Sequence, residues 1–595
     1  FSTSIPMKIM IPYSFLYFLL ITLFTNFNNV ESEEIDDLLV DTTQGAVLGK
    51  ENKFEGFKIN QWLAIPYAQP PIGELRFRAP VKAEPWAEIK FLNDEPPACP
   101  QRENSIYKIL DKSFYMWVPP VEMNEDCLYL NVYTPSDAKR RGNLPVIVWI
   151  HGGGFDRGAI SMDVYNPKML VAKEDVIVVT VQYRLGILGL LYFDSSDSPG
   201  NMGLMDQSMA LQWVQDNIEK FGGNKNAITL MGESAGAAAV GYHMISPHSK
   251  NLFQKAIVQS GAPMTFWAFS SPEEALRRSY KFAQHADCKF PDVTATLDCL
   301  RKKSSSEILN SIKSILPLTP TVDGKFLTIS PFEAIQKKEF AQKAVLGGLV
   351  QSEGMSGLLS FVSHVKTFDF SHFDKDNYEF VKSLMALFFK QPRNKVEELT
   401  RFYSDEGGSS DYLGRLSHLF GDAFSSCATL DFLSSISSAG VPTYLYYYNH
   451  RPEKCPDPLY TEVMHGAEVP FQFGLPFWIK ENYTDVDRQI SQGVMSEWAS
   501  FVKTGKPGKA SWGQYEGELG TYEELKSDQS NTVVMRREPF CKAWNQFGSY
   551  QNIVSVAEVR NLMLELCKLK YNAIKCGALS FAQQLKEVLE DIFNF

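Results

Sequence analysis

The stretch that decides the fold reads Ala227-Ile228-Thr229-Leu230-Met231, then Gly232-Glu233-Ser234-Ala235-Gly236, then Ala237-Ala238-Ala239-Val240. The opening residues are mostly apolar, with β-branched Ile228 and Thr229 among them, the pattern of a strand covered on both faces. The closing run is small and helix-compatible. Between them lies G-x-S-x-G, which turns a strand into a helix so tightly that any side chain beyond hydrogen clashes at either glycine. The serine hydroxyl is thereby pushed out above the sheet. The pentapeptide alone is a weak signal and also occurs as a chance glycine-rich turn. The strand before it and the helix after it select the nucleophile reading.

Working outward, further strand-like runs are Val146 to Ile150, Val176 to Val181, Ala256 to Gln259, Ala344 to Val350 and Thr443 to Tyr448. Helical segments stand between them, among them Gln207 to Glu219, expected to be capped near Asp206. The β-then-α order predicts an α/β fold with one large, mostly parallel central sheet flanked by helices. The run Val146 to Ile150 leads into His151-Gly152-Gly153-Gly154-Phe155. Glycines there let bare backbone N–H groups approach a carbonyl oxygen that becomes negative during acyl transfer. Gly153, Gly154 and the N–H of Ala235 are the expected donors. A phosphate-cradling loop is the competing reading, but no Gly-Lys-Ser/Thr follows.

A serine nucleophile needs a base, and the base needs an orienting carboxylate. In this architecture the chain order is Ser, acid, His. Glu353 follows the strand ending at Val350 and fits the acid's place, although a lone loop glutamate is more often only solvated. His450 and His465 both lie beyond the strand Thr443 to Tyr448, and residue patterning leaves the choice between them open.

The chain has 595 residues, 44% apolar and 21% charged, which is ordinary for a globular protein. Its net charge of −11 argues against a nucleic-acid partner. Lys8 precedes an uncharged run from Ile9 to Phe24, and acidic residues begin at Glu31, so residues 1–32 are expected to hold a secretory signal. Met7 is the expected start, with Phe1 to Pro6 upstream of it. A signal anchor is the alternative, since the run nearly spans a bilayer. Residues 33–548 are expected to form the main domain and 549–595 a helical tail. The nine cysteines (99, 127, 288, 299, 427, 455, 541, 567 and 576) form no C-x-x-C pair, which disfavours a structural zinc site. An odd number leaves at least one thiol unpaired within the chain; Cys567 and Cys576 favour a homodimer linked through the tail, with packing of the tail helices on their own domain as the competing reading. Asn482-Tyr483-Thr484 is a glycosylation sequon.

Several stretches resemble the type-B carboxylesterase and cholinesterase family, with its α/β-hydrolase fold, over residues from about 40 to 548. They are Ala64-Ile65-Pro66-Tyr67-Ala68, Glu125-Asp126-Cys127-Leu128-Tyr129-Leu130-Asn131-Val132, the His-Gly-Gly-Gly loop, Asn201 to Gln207, Phe221-Gly222-Gly223-Asn224, the elbow, and His465-Gly466-Ala467-Glu468-Val469-Pro470-Phe471. The resemblance assigns the histidine role to His465 and the acid to Glu353. It implies a serine esterase acting on small carboxylic esters without metal or cofactor. It also implies disulfides Cys99–Cys127, Cys288–Cys299 and Cys427–Cys541, leaving Cys455, Cys567 and Cys576.

The same resemblance bears on the ester. Trp117, Tyr165 and Glu233 match the site where cholinesterases hold a quaternary ammonium, and Trp267 matches a wall of their acyl pocket. Trp117 as a mere loop anchor is the competing reading. Met355, Ser356, Gly357 and Ala467 stand where aromatic residues would complete the cage. The expectation is therefore a secreted carboxylic ester hydrolase with half a choline site. A choline-ester hydrolase proper and a non-catalytic, neuroligin-like adhesion protein are the alternatives, the latter disfavoured by the intact Ser234, Glu353 and His465.

Overall fold

The structure, a computed structural model, describes residues 37–548 except 103–115, 313–317, 356–374, 376–377, 380–381, 383–391, 404–410, 455–461, 518–520, 528–531 and 535–536. The expected leader, the tail with Cys567 and Cys576, Cys455, Ser356 and Gly357 lie outside the described residues.

Among the described residues the central sheet has eleven strands. In chain order they are β1 (Lys50–Phe54), β2 (Phe57–Pro66), β3 (Tyr129–Pro135), β4 (Leu144–Ile150), β5 (Ile177–Val181), β6 (Gly223–Glu233), β7 (Lys255–Gln259), β8 (Val345–Val350), β9 (Thr443–Tyr448), β10 (Thr521–Leu525) and β11 (Thr532–Val534). Across the sheet they run β11-β10-β9-β8-β7-β6-β4-β5-β3-β2-β1. From β5 through β4 and β6 to β10 all pairings are parallel, and the flanking strands are antiparallel. All six strands read from the sequence belong to the parallel core.

Alternate residues of these strands enter two separate cores. Val146, Val148, Ile150, Leu230 and Val258 face one side, with helix α1 (Met202–Asn217) and helix α2 (Ala235–Ile245) packed over them. Ile147, Trp149, Met231, Ile257 and Leu346 face the other, under Val494, Met495 and Trp498 of the helix Asp485–Thr504. Burial on both faces is why these strands read as unbroken apolar runs.

One element begins earlier than the sequence indicated. Helix α1 starts at Met202, with Asn201 left-handed (φ 56°), rather than near Asp206. Asp206 is fully buried inside the helix and takes a fork of hydrogen bonds from Arg184 (2.8 and 2.7 Å). An aspartate beside an apolar run reads as a cap, but here an ion pair claims it. The helix ends at Asn217 and passes into a short 3-10 turn, Ile218–Phe221.

Candidate active site

The site is built at the carboxyl end of the parallel strands, where such sheets place ligands. β6 ends at Glu233 and α2 begins at Ala235, leaving Ser234 alone between them. Ser234 sits at φ 56°, ψ −121°, a strained conformation for a residue with a side chain. Such strain costs about 1–3 kcal/mol and persists where surroundings over-determine it. Here Ser234 N donates to Gln259 O (2.8 Å), and Ser234 O accepts from Ala238 N (2.9 Å). Both elbow glycines are sterically required. A Cβ on Gly232 would lie 2.4 Å from the Gly236 carbonyl, and one on Gly236 would lie 2.1 Å from Ile150 O.

The same contacts press the glycine loop after β4 onto the elbow. A Cβ on Gly152 would fall 2.7 Å from Glu233 Oε2 and 3.1 Å from Ser234 Cβ. Gly153 and Gly154 are both left-handed (φ 108° and 65°), conformations that L side chains avoid. His151 is buried and stacked on Tyr183, with ring centroids 4.4 Å apart. Burial depresses its pKa to about 4, which keeps the ring neutral.

Glu353 and His465 come from loops after β8 and β9. Ser352 bridges Met464, so the two loops run side by side. His465 Nδ1 lies 2.5 Å from Glu353 Oε2, and Glu353 Oε1 accepts from Val350 N (2.9 Å). Among the described residues His465 Nε2 makes no well-formed hydrogen bond. It lies 3.0 Å from Glu233 Oε1, and no hydrogen bond joins it to Ser234 Oγ. His450 is placed elsewhere. Its Nε2 lies 2.7 Å from Asp487 Oδ1, at the capped start of the helix Asp485–Thr504.

Three buried carboxyl groups crowd the imidazole. Burial works to lower the His465 pKa, but the charges of Glu233 and Glu353 and the hydrogen bond that Glu353 accepts outweigh it, raising the ring to about 9. Glu233 is pushed up to about 7 by burial, against the pull of His465. Glu468 is pushed up to about 8, again chiefly by burial. Glu468 Oε1 accepts from Tyr446 Oη (3.0 Å) and Gln259 Nε2 (3.3 Å). It lies three residues after His465. Nothing in the local pattern marks it as a buried acid.

Trp117 and Tyr165 line one side. They meet edge to face with centroids 6.1 Å apart. A Cβ on Gly466 would lie 3.2 Å from the Trp117 ring and 3.5 Å from Glu233 Oε1, so the indole, Glu233 and His465 share one corner. On the other side Trp267 Nε1 donates to Phe424 O (2.7 Å), and the two rings stack at 5.5 Å. Phe424 in turn presents its ring to His465 at 6.2 Å, edge to face. Sequence reasoning missed Phe424. It stands on a π-helical turn, Asp422–Ser426, and no residue pattern announced that turn.

The disulfides Cys99–Cys127, Cys288–Cys299 and Cys427–Cys541 are all present. Asn482 is exposed at the end of a 3-10 turn. Among the described residues no group of three or more His, Cys, Asp or Glu is arranged to hold a metal ion.

The sequence profile of the carboxylesterase family matches residues 36–544. The chain is 36% identical over 546 residues to a cholinesterase of Mus musculus, covering 87% of this chain and 88% of the relative. It is 34% identical over 536 residues to an acetylcholinesterase of Bungarus fasciatus, covering 86% of each. It is 34% identical over 578 residues to an acetylcholinesterase of Danio rerio, covering 88% of this chain and 90% of the relative.

Proposed function

The chain belongs to the carboxylesterase family, and from that premise we propose that it hydrolyses carboxylic esters through an acyl-enzyme on Ser234. The observation that carries this reading is the convergence of the strained Ser234 elbow, the glycine loop and the Glu353–His465 pair at the carboxyl end of the central strands. Ser234 Oγ attacks the ester carbonyl carbon while its proton passes to His465 Nε2. Glu353 holds Nδ1–H, fixing the tautomer and balancing the imidazolium charge. The N–H groups of Gly153, Gly154 and Ala235 donate to the oxyanion. The carbon–oxygen bond to the alcohol breaks as His465 returns the proton to the departing oxygen. Water then attacks the acyl carbon with its proton taken by His465, the bond from that carbon to Ser234 Oγ breaks as His465 returns the proton to Oγ, and the acid leaves.

The relatives' names make choline esters one substrate class to test. Trp117 beside Glu233 supports a cation subsite, and Phe424 against Trp267 supports a narrow acyl wall. Ala467 contributes no ring to the cage. Secretion is supported by the three disulfides. Among the described residues no helix is long and apolar enough to cross a membrane.

The test compares kcat/KM for a thiocholine ester and its neutral tert-butyl isostere. A cation over an indole gains about 1–2 kcal/mol when desolvated, so a roughly tenfold preference is expected. Trp117→Ala should erase that preference and leave neutral esters nearly untouched. Equal ratios before and after the change would make Trp117 a loop anchor and the enzyme a general carboxylesterase.

A further inference from the structure

On the sheet face away from Trp149 and Tyr165, helix α1 turns an unusual side outward. Met205, Ser208, Met209 and Gln212 follow helical spacing on its outer stripe. An outer helix face is ordinarily polar. Here the stripe borders a cavity of about 420 Å³, walled further by Trp213 and Phe326. That volume is in the range of sites that hold drug-sized molecules. Thioether walls adapt to flexible apolar chains.

Two observations specify the chemistry of an occupant. Gln44 lines the cavity and is 3% exposed. Its Oε1 accepts from Trp213 Nε1 (3.1 Å) and Thr43 Oγ1 (2.9 Å). Because an indole only donates, this fixes the amide's orientation. Among the described residues no acceptor meets the buried Nε2, a costly state that an oxygen-bearing ligand would relieve. The rim is basic although the chain is acidic overall at −11. Lys82, Lys325 and His248 line it, and among the described lining residues the one acid is Asp216, which lies 3.8 Å from Lys82. Lys325 has no carboxylate partner among the described residues and is exposed.

We propose that this cavity is a second binding site, separate from the Ser234 centre, for an amphipathic carboxylate. Its apolar chain lies along Met205, Met209 and Trp213, and its anionic head lies at the Lys325 rim. The hydroxyl of Ser208 and the amide of Gln44 offer polar contacts between the two ends.

The experiment is calorimetric titration of decanoate into the full chain after Ser234 has been blocked by an organophosphate. One saturable site is expected. Met209→Trp, which fills the cavity, should abolish it while short-ester kcat/KM in the unblocked protein stays the same. Ser208→Phe is the second filler should Met209→Trp fail to fold. Lys325→Glu should weaken decanoate at least fivefold and leave 1-decanol unchanged. Absence of saturable binding, or binding that survives both fillers, overturns the site. Decanol binding as tightly as decanoate, with no response to Lys325→Glu, overturns the carboxylate assignment.

Discussion

At the residue scale, the decisive feature is the charge around His465. An imidazole that must accept a proton from Ser234 is useful only when neutral. Glu233 and Glu353 raise its pKa above the ordinary 6.5. The sequence alone predicts loss of activity below about pH 6–7, the range of an unperturbed histidine. The structure moves that limb upward, because the raised pKa keeps the protonated, inactive form to higher pH. The acid limb of kcat/KM should therefore have its midpoint above 6.5, and Glu233→Gln should move it down. A midpoint at or below 6.5 that ignores Glu233→Gln would contradict this electrostatic account. The choice between histidines rests on neighbours rather than patterning. His465→Ala should cost several orders of magnitude in kcat. His450→Ala should spare kcat and lower Tm, because the buried Asp487 Oδ1 loses its hydrogen-bond partner. The reverse result would move the base to His450.

At the scale of elements, the elbow was legible and the turn carrying Phe424 was not. The elbow's constraint is local: two glycines and one serine suffice to state it, and the close approaches at Gly232 and Gly236 are its structural form. A π-helical turn depends instead on packing between helices. Ser425 Oγ donates to Ser260 O (2.6 Å), and Asp422 takes Arg537 Nε (3.0 Å) and Tyr403 Oη (2.7 Å). None of those partners is near in sequence. The start of α1 was misread for the same reason, since Asp206 is defined by Arg184 rather than by its neighbours. The elbow gives a direct prediction. Gly236→Ala places a methyl group against the Ile150 carbonyl, which no side-chain rotation can relieve. Overpacking of this kind costs about 1–3 kcal/mol. It should lower Tm by several degrees and cut kcat/KM at least about a hundredfold by shifting the oxyanion donors. A variant of undiminished rate would show that the elbow tolerates more room than its contacts allow.

At the scale of the whole molecule, the parallel core was readable because two covered faces force continuous apolar strands. The antiparallel flank, β1 to β3, carries weaker signals, because polar residues such as Lys58, Asn60 and Gln61 in β2 and Asn131 and Thr134 in β3 interrupt its apolar runs even where the strand is buried. The disulfide pairing came from family likeness, and the structure holds all three bonds. Cys427–Cys541 and the buried Asp422–Arg537 pair both fasten the helix Glu538–Gly548 to the turn behind Phe424. On the reading proposed here, this fold gathers Ser234, Glu353 and His465, distant in sequence, into one reaction centre. The most direct measurement is mass-spectrometric mapping of the protein after treatment with a fluorophosphonate ester. A single adduct on the peptide containing Ser234 is expected, formed with loss of ester hydrolysis, slowed by orders of magnitude in His465→Ala and absent in Ser234→Ala. An active protein that takes no adduct at Ser234, or that still hydrolyses esters after Ser234→Ala, would contradict it.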